Sequence, residues 1–575
     1  MAGMHDRSNP IREPVKVESH WKPLAIVVLL VAASCATSAP GTAPQRGDER
    51  ADAAKPILFG DLGTHHRAIT TRSGEAQRWF DQGLVLAFAF NHDEAIRSFR
   101  EAARLDPDCA MAWWGIALAN GPHINFPMMS PEHSQTAWDA IEHARGVASR
   151  ASPVERELIE ALSARYVQNP PESRAALDAA YADAMRRVWR AHPDDADIGS
   201  LFAEAALDLH PWDLWTLDGQ PKAWTGEIAA ALEAVLARTP LHPGANHLYI
   251  HVVEASPDAA RALASADRLR TLVPGASHLV HMPAHIDARI GHYAEASLAN
   301  ERAMEVDRKR AAQTGRAGFY RIYMAHNTHF LAYSSMMEGR SEEALRSARA
   351  MVDGFPDELK ESMGPLVDGF LPVVFHVLAR FGRWDDILRE PEFPPLFGAA
   401  NSVRLYARGV ALTALGRLDE AQHELDELDA LVAVMDERTI GNNPAKVVLE
   451  IPRRLLRGEL EFRRGNVDGG LALLREAVAI EDGLAYDEPP DWMMPARHPL
   501  GAALVQATRF AEAEAVYRAD LRRNPENGWS LFGLGQCLVA RGEKAEASAV
   551  RARFEKAWAR ADVPLKSSCF CQPGR

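Results

Sequence analysis

Seven histidines recur at helical spacing in one stretch of the chain: His247 and His251; His278, His281 and His285; His326 and His329. Steps of three or four residues place each set on a single helix face. Imidazole is the commonest transition-metal ligand and the side chain that carries protons near neutral pH. His-x-x-x-His occurs twice, as His247–His251 and His281–His285. That spacing sets two nitrogens on one side of an ion, as in helical zinc sites. Glu254 follows His251 by three residues and is a candidate oxygen ligand. Such a donor set suits zinc, copper, iron or manganese. Met336 and Met337 would tilt the choice toward copper, although methionine also serves as plain apolar contact surface. There is no His-Glu-x-x-His, which excludes a zincin. A metal-free alternative uses the same surface. Imidazoles with Arg289, Tyr333, His376 and Arg380 could bind an anionic ligand or move protons. A lone histidine on a helix is more often a hydrogen-bonded structural residue; the clustering is what argues for function.

These side chains need helices to present them. Beyond residue 75, apolar residues recur at three and four, and Gly or Pro marks the breaks. The breaks are regular: Gly501 to Gly535 and Ala513 to Ala547 are each 34 residues. One unit carries Leu500-Gly501, Ala513, Tyr517 and Pro525; another carries Trp79, Gly83, Ala95, Phe99, Ala102 and Pro107. This pattern resembles the tetratricopeptide repeat (TPR). Units start near 76, 110, 243, 277, 325, 368, 402, 451, 494 and 528. Six of them have glycine at the fifteenth place: Gly291, Gly339, Gly382, Gly416, Gly465 and Gly542. Each should sit in the turn between paired helices, where φ is positive.

The resemblance implies an all-α fold, a solenoid of helical hairpins wound into a right-handed superhelix with a concave inner face. It also implies that places two, five, nine, twelve and thirteen of each first helix line that groove. His247, His251 and Glu254 then fall at five, nine and twelve of one repeat. His278, His281, His285 and Arg289 fall at two, five, nine and thirteen of the next. His326, His329, Tyr333, Met336 and Met337 follow in the third, His376 and Arg380 in the fourth, and His498 in the repeat from 494. Places two, five, nine and twelve of three consecutive repeats hold seven histidines in twelve positions. The 22 histidines in 575 residues predict about half of one. The Lys/Asn carboxylate clamp of chaperone-binding repeats is not seen.

The rest of the chain is less specific. Residues 146–242 look helical but fit the repeat poorly, with an aromatic insertion (Trp212, Trp215, Trp224) expected as a lid or packing loop. His92 is expected to cap a hairpin turn, and His123 to point toward the groove. Net charge is −14 and no basic run occurs, so no nucleic-acid partner is expected. At the N-terminus, basic residues precede the short apolar stretch Leu24–Ala33, which ends in Ala-Ser-Cys35. Small residues before Cys resemble a bacterial lipoprotein cleavage box. The resemblance implies lipidation of Cys35 and, with Ala36 following, an outer-membrane lipoprotein of the bacterial cell envelope facing the periplasm. Cys109 and Cys537 read as buried thiols. Cys569 and Cys571 read as part of a loose tail, poorly placed to bond each other.

The expected organisation is a signal peptide (1–34), a flexible tether (35–60), N-terminal hairpins (61–145), an irregular helical segment (146–242), a histidine-rich core (243–400), C-terminal hairpins (401–561) and a tail (562–575). The expected function is an envelope-anchored solenoid whose histidine groove binds transition metal (zinc, copper or iron) for storage, delivery or chemistry. The alternatives are a protein- or peptide-binding scaffold and a metal-free site for a small anion. Whether a reaction occurs is left open.

Overall fold

Large aromatic side chains lock neighbouring hairpins together, and glycines make room for them. Phe99 is fully buried, and a Cβ on Gly83 or Gly115 would stand 2.7 or 2.4 Å from its ring. Tyr517 repeats the device near the other end, against Gly501 and Gly533 at 2.5 and 2.2 Å. Helices at these two places can touch only because one partner has no side chain. The six turn glycines all have left-handed backbones, with φ from 65° to 90°, as the repeat register requires.

The computed structural model describes residues 56–315, 320–355, 360 and 364–572. Cys35 and the N-terminal signal lie outside the described residues. Residues 55–170 and 175–575 form one unit; Pro171–Arg174 is a separate irregular stretch. Within the unit the fold is all-α. Antiparallel hairpins run from Gly74–Phe88 with His92–Leu105 to Gly528–Arg541 with Lys544–Ala557. The described strands are two short ones, Thr439–Ile440 paired with Asn443–Pro444. Residues 146–242 are more regular than expected: Pro153–Ser163, Ala175–Ala191, Ala196–Leu207 and Thr225–Arg238 pack in sequence and lead into the histidine helices. Among the described residues, no helix is long and apolar enough to cross a membrane.

Two hydrophobic cores fill the unit. One runs from Leu62 to Ile286 and takes in Tyr323; the other begins at Ala284 and ends at Cys571. The histidine-bearing helices stand at the seam. Pro283 divides one of them into Ser277–His281 and Pro283–Arg289, since proline cannot supply the interior backbone N–H.

The solenoid also folds back on itself. Trp529 Nε1 donates to Met336 O at 2.9 Å, and Asp562 accepts from Ser341 N and Glu342 N at 2.7 and 3.0 Å. The inner face is therefore enclosed rather than an open groove. The C-terminal tail belongs to this closure and is not loose. Ser568 Oγ donates to His498 O, Gln572 bonds Glu459, and Cys569 and Cys571 close a disulfide. A Cα separation of 5.2 Å brings that bond within reach despite the one-residue spacing. Cys109 and Cys537 are buried free thiols.

Candidate metal centre

Helix Pro243–Val253 is buried along its whole length. It carries His247 and His251 one turn apart, and His278 meets them from Ser277–His281. The three nitrogens converge: His247 Nε2 lies 3.1 Å from His251 Nε2 and 3.0 Å from His278 Nε2. A second group forms from His281, His285 and His326, with His281 Nε2 2.8 Å from His285 Nε2. Within each group all the donor atoms lie within 4.8 Å of one another. The groups adjoin, since the His251 and His285 rings are 5.8 Å apart, as are those of His278 and His281. His326 is partly buried; the other five are at most 3 % exposed.

For His247, His251 and His281 the far side of the ring decides which nitrogen carries the proton. His247 Nδ1 donates to Phe88 O at 2.7 Å, and His251 Nδ1 donates to Glu254 Oε1 at 2.8 Å. His281 Nδ1 faces Asn300 Oδ1 at 2.7 Å. Asn300 Nδ2 donates to Ala296 O, so its oxygen is the atom left for His281 and His281 Nδ1 donates. With Nδ1 protonated, a neutral ring offers only a lone pair at Nε2. The lone pairs of His247 and His251 thus face each other with no proton between them. Burial holds the pKa of His247, His278, His281 and His326 well below the usual imidazole value, which keeps these rings neutral. Burial also lowers His251, more than Glu254 raises it. Converging lone pairs are what a bound cation relieves, and a hydrogen-bonded Nδ1 is the usual support of a metal-ligating histidine.

Glu254 stands behind the rings rather than among the nitrogens. Its Oε1 takes the His251 proton, and its Oε2 lies 2.6 Å from His285 Nδ1. Burial opposes its charge, but His285 and His251 hold its pKa below the carboxylate range. Burial works against charge on His285 too; Glu254, Glu488 and Asp487 outweigh it and raise its pKa. Glu254 was expected as an oxygen ligand; its position makes it the shared support of both groups. Tyr486 OH reaches its Oε2 at 3.3 Å from a segment 232 residues away.

His329 does not join either group. It is buried against Phe370, and burial lowers its pKa to about 4. His376 packs edge-on against Trp492 at 4.9 Å. Arg289 spends its donors on the backbone oxygens of Glu254, Ser256 and Arg523. Tyr333 lines a neighbouring cavity of about 80 Å³ with Arg289, Tyr486, Glu488 and Trp492. Asn91, not His92, caps its helix, and the His92 ring instead packs 4.4 Å from His123. The aromatic insertion supplies Trp212, edge-on to His251 at 5.2 Å.

Sequence spacing gave no warning of Phe90, whose ring contacts His123, His247 and His278 at 4.8, 4.5 and 5.5 Å. Its φ of 54°, rare for a bulky residue, is the one local sign of a special role. Asn300 and the Phe88 carbonyl were equally invisible.

Helical hairpins closed around a histidine-lined interior define the class of protein. Residues 80–120 and 499–561 match the tetratricopeptide-repeat family model, and the chain carries tetratricopeptide repeats. No curated protein matches it. Among solved structures it resembles the human IFIT1 dimer with m7Gppp-AAAA, at 13% identity over 84% of this chain and 90% of that one, TM-score 0.33. It also resembles the APC/C hetero-tetramer Cut9–Hcn1 (12%, 88% and 77%, TM-score 0.27) and yeast Tom70 (12%, 84% and 93%, TM-score 0.27).

Proposed function

We propose that this tetratricopeptide-repeat protein binds transition metal in its enclosed interior, one ion at each group of three imidazoles. The observation that carries the reading is the convergence of Nε2 atoms whose rings are pinned from behind by Phe88 O, Glu254 and Asn300. Three protein nitrogens per ion leave a coordination position open, as catalytic rather than structural sites do. Imidazole ligation with carboxylate support suits zinc, copper or iron. The favoured role is metal-dependent chemistry or metal transfer inside the chamber. As part of the same proposal, Cys35 anchors the protein to the bacterial envelope through lipid, on the periplasmic side. The repeat scaffold itself is suited to holding a protein or peptide ligand, which is the second reading.

Elemental analysis of protein purified without a histidine tag tests the metal. The expected content is two equivalents after loading at neutral pH. Metal at background level in the loaded protein would remove this reading and leave the scaffold alone. Mass spectrometry of the membrane-extracted protein tests the anchor: a diacyl or triacyl Cys35 peptide is expected, and an intact peptide running through Ser34 and Cys35 would rule it out.

A further inference from the structure

A disulfide that spans a single residue is a poor staple. Cys569 and Cys571 close the shortest kind of loop, and a cross-link withdraws less entropy from the unfolded chain the shorter that loop is. Nor does the segment need the bond to stay docked. On one side, Ser568 Oγ donates to His498 O at 3.0 Å and meets Tyr517 OH at 2.7 Å. On the other, Arg463 Nη2 donates to Cys571 O at 2.7 Å, and Gln572 Nε2 donates to Glu459. Between the two cysteines, the Phe570 ring packs on Trp529 with centroids 5.8 Å apart. None of these contacts passes through sulfur.

The two sulfurs have different surroundings. Cys569 is partly exposed, whereas Cys571 is 5 % exposed. Cys571 N donates to Cys569 Sγ at 3.2 Å, a bond that favours negative charge on that sulfur. Cys571 Sγ faces an acid instead. It lies 3.4 Å from Oε1 of Glu459, a buried residue of the helix Ala445–Arg463. Gln572 Nε2 occupies the other oxygen, Oε2, so a proton on this carboxyl belongs on Oε1, toward the sulfur. Burial raises the Glu459 pKa to about 7, against the pull of Arg463 and Gln572, so a proton is present there for part of the time at neutral pH. Tyr406 also lies within its electrostatic reach.

Thiol–disulfide exchange needs one sulfur open to attack and a second that can leave. We propose that Cys569–Cys571 is a redox-active disulfide that takes two electrons from an external dithiol, with Cys569 as the sulfur attacked and Glu459 as the acid that protonates Cys571. A thiolate of the dithiol bonds to Cys569 Sγ, and the Cys569–Cys571 bond breaks. Its electron pair goes to Cys571 Sγ, which takes the proton from Glu459 Oε1. The partner's second thiolate then attacks the partner's own sulfur in the mixed disulfide, and Cys569 leaves as a thiolate held by the Cys571 N–H. The partner ends as a disulfide and this chain as a dithiol. The two protons shed by the partner's thiols replace the one drawn from Glu459 and protonate Cys569. This chemistry uses neither the imidazoles nor a metal and stands independently of the metal reading.

Dithiothreitol serves as the dithiol. Full-length protein is reduced in buffer and in urea, quenched by alkylation at timed intervals, and the mass of the Cys569–Cys571 peptide gives the rate. The folded protein is expected to react about tenfold faster than the unfolded chain, because only the fold sets an acid beside the leaving sulfur. Reduction should shift Tm little, since the bonds of Ser568, Arg463 and Gln572 remain. Glu459→Gln should slow reduction of the folded protein about tenfold. The ratio of wild-type to variant rate should shrink as pH rises past about 7, where Glu459 loses its proton. Single-cysteine variants test the roles of the sulfurs without touching Glu459. Cys571→Ser, which leaves Cys569, should form a mixed disulfide with oxidised glutathione, and Cys569→Ser should not. A bond that dithiothreitol opens only in urea would be a structural cross-link and would overturn the proposal. So would faster capture of Cys571 than of Cys569, or a Glu459→Gln rate equal to wild type at every pH.

Discussion

Two buried histidine clusters in this chain use the same residue types and reach opposite outcomes. In the first, His65 Nε2 and His242 Nε2 both point at Asp197 Oδ1, at 2.9 and 3.0 Å, while Arg67 holds Asp197 Oδ2 at 3.0 Å. His242 Nδ1 accepts from Ala245 N and so caps the helix that carries His247 and His251. His65 Nε2, His242 Nε2 and Arg67 Nη1 all meet carboxylate oxygens, and the cluster is finished as it stands. In the second, Glu254 sits behind His251 and His285, taking the His251 Nδ1 proton, and the inner nitrogens face one another. The difference lies in where the carboxylate sits. Between two imidazoles it closes a network; behind them it aims them at a common point. Three donor atoms within 4.8 Å occur in both places, so proximity alone does not mark a metal site.

The contrast can be broken most decisively at the second cluster. Replacing His281 and His285 together with glutamine should remove one of the two expected metal equivalents, with His247, His251 and His278 retaining the other. Elemental analysis of the variant reads this, and wild-type content would show that the ring convergence does not bind metal. These residues are buried, so some loss of Tm is expected as well.

The next largest effect belongs to the finished cluster. Asp197→Ala strands both histidines and leaves Arg67 with Asp195 alone, and should cost about 3–5 kcal/mol of stability, as expected when one partner of a buried charged network is removed. Metal content should not change. Denaturant unfolding measures the first quantity and elemental analysis the second. Loss of metal without loss of stability would reverse the assignment of the two clusters.

Glu254→Gln tests the supporting position directly. Metal affinity should fall by about 10- to 100-fold while both groups keep all six imidazoles, the effect expected of a second-layer carboxylate. Competition with a chromophoric chelator reads the change. Complete loss at one group only would mean that Glu254 is itself a ligand there.

The smallest effect concerns pH in the metal-free protein. His247, His278, His281 and His326 have depressed folded-state pKa values because burial disfavours charge. The unfolded chain therefore binds protons first as pH falls, and stability is lost below the unfolded value of about 6.5. Each such group contributes a slope approaching about 1.4 kcal/mol per pH unit in that window. Asp197 is different: burial opposes its charge, but His242 and His65 hold its pKa low, so its contribution is lost only below about pH 4. Unfolding free energies between pH 7.5 and 5 should fall steeply in wild type and less steeply in a His247→Leu/His278→Leu variant. Equal slopes would count against neutral buried rings.

Much of the local architecture was legible in the residues. The 34-residue period located the hairpins that hold the histidines, and the left-handed turns at Gly291, Gly339, Gly382, Gly416, Gly465 and Gly542 follow from it. Helical spacing put His247 beside His251 and His281 beside His285. Local rules failed where contacts span long stretches. Phe88 supports His247 across 159 residues, and Tyr486 reaches Glu254 across 232. Arg289 and Arg380 occupy the same place in the repeat, yet one is spent on backbone oxygens and the other has no polar partner among the described residues. The tail read as loose because its anchors, Glu459 and His498, lie far upstream.

The helices, their pairing and the faces that carry imidazole are already set by residue order, because a helix repeats every 3.6 residues and reports its faces at short range. Enclosure of those faces came only with long-range packing, as did the place of Glu254 behind the rings and the separation of His329 from them. Those outcomes depend on rotations accumulated from hairpin to hairpin and on the C-terminal repeats docking back on the helix Arg321–Glu338, and no local pattern encodes that sum.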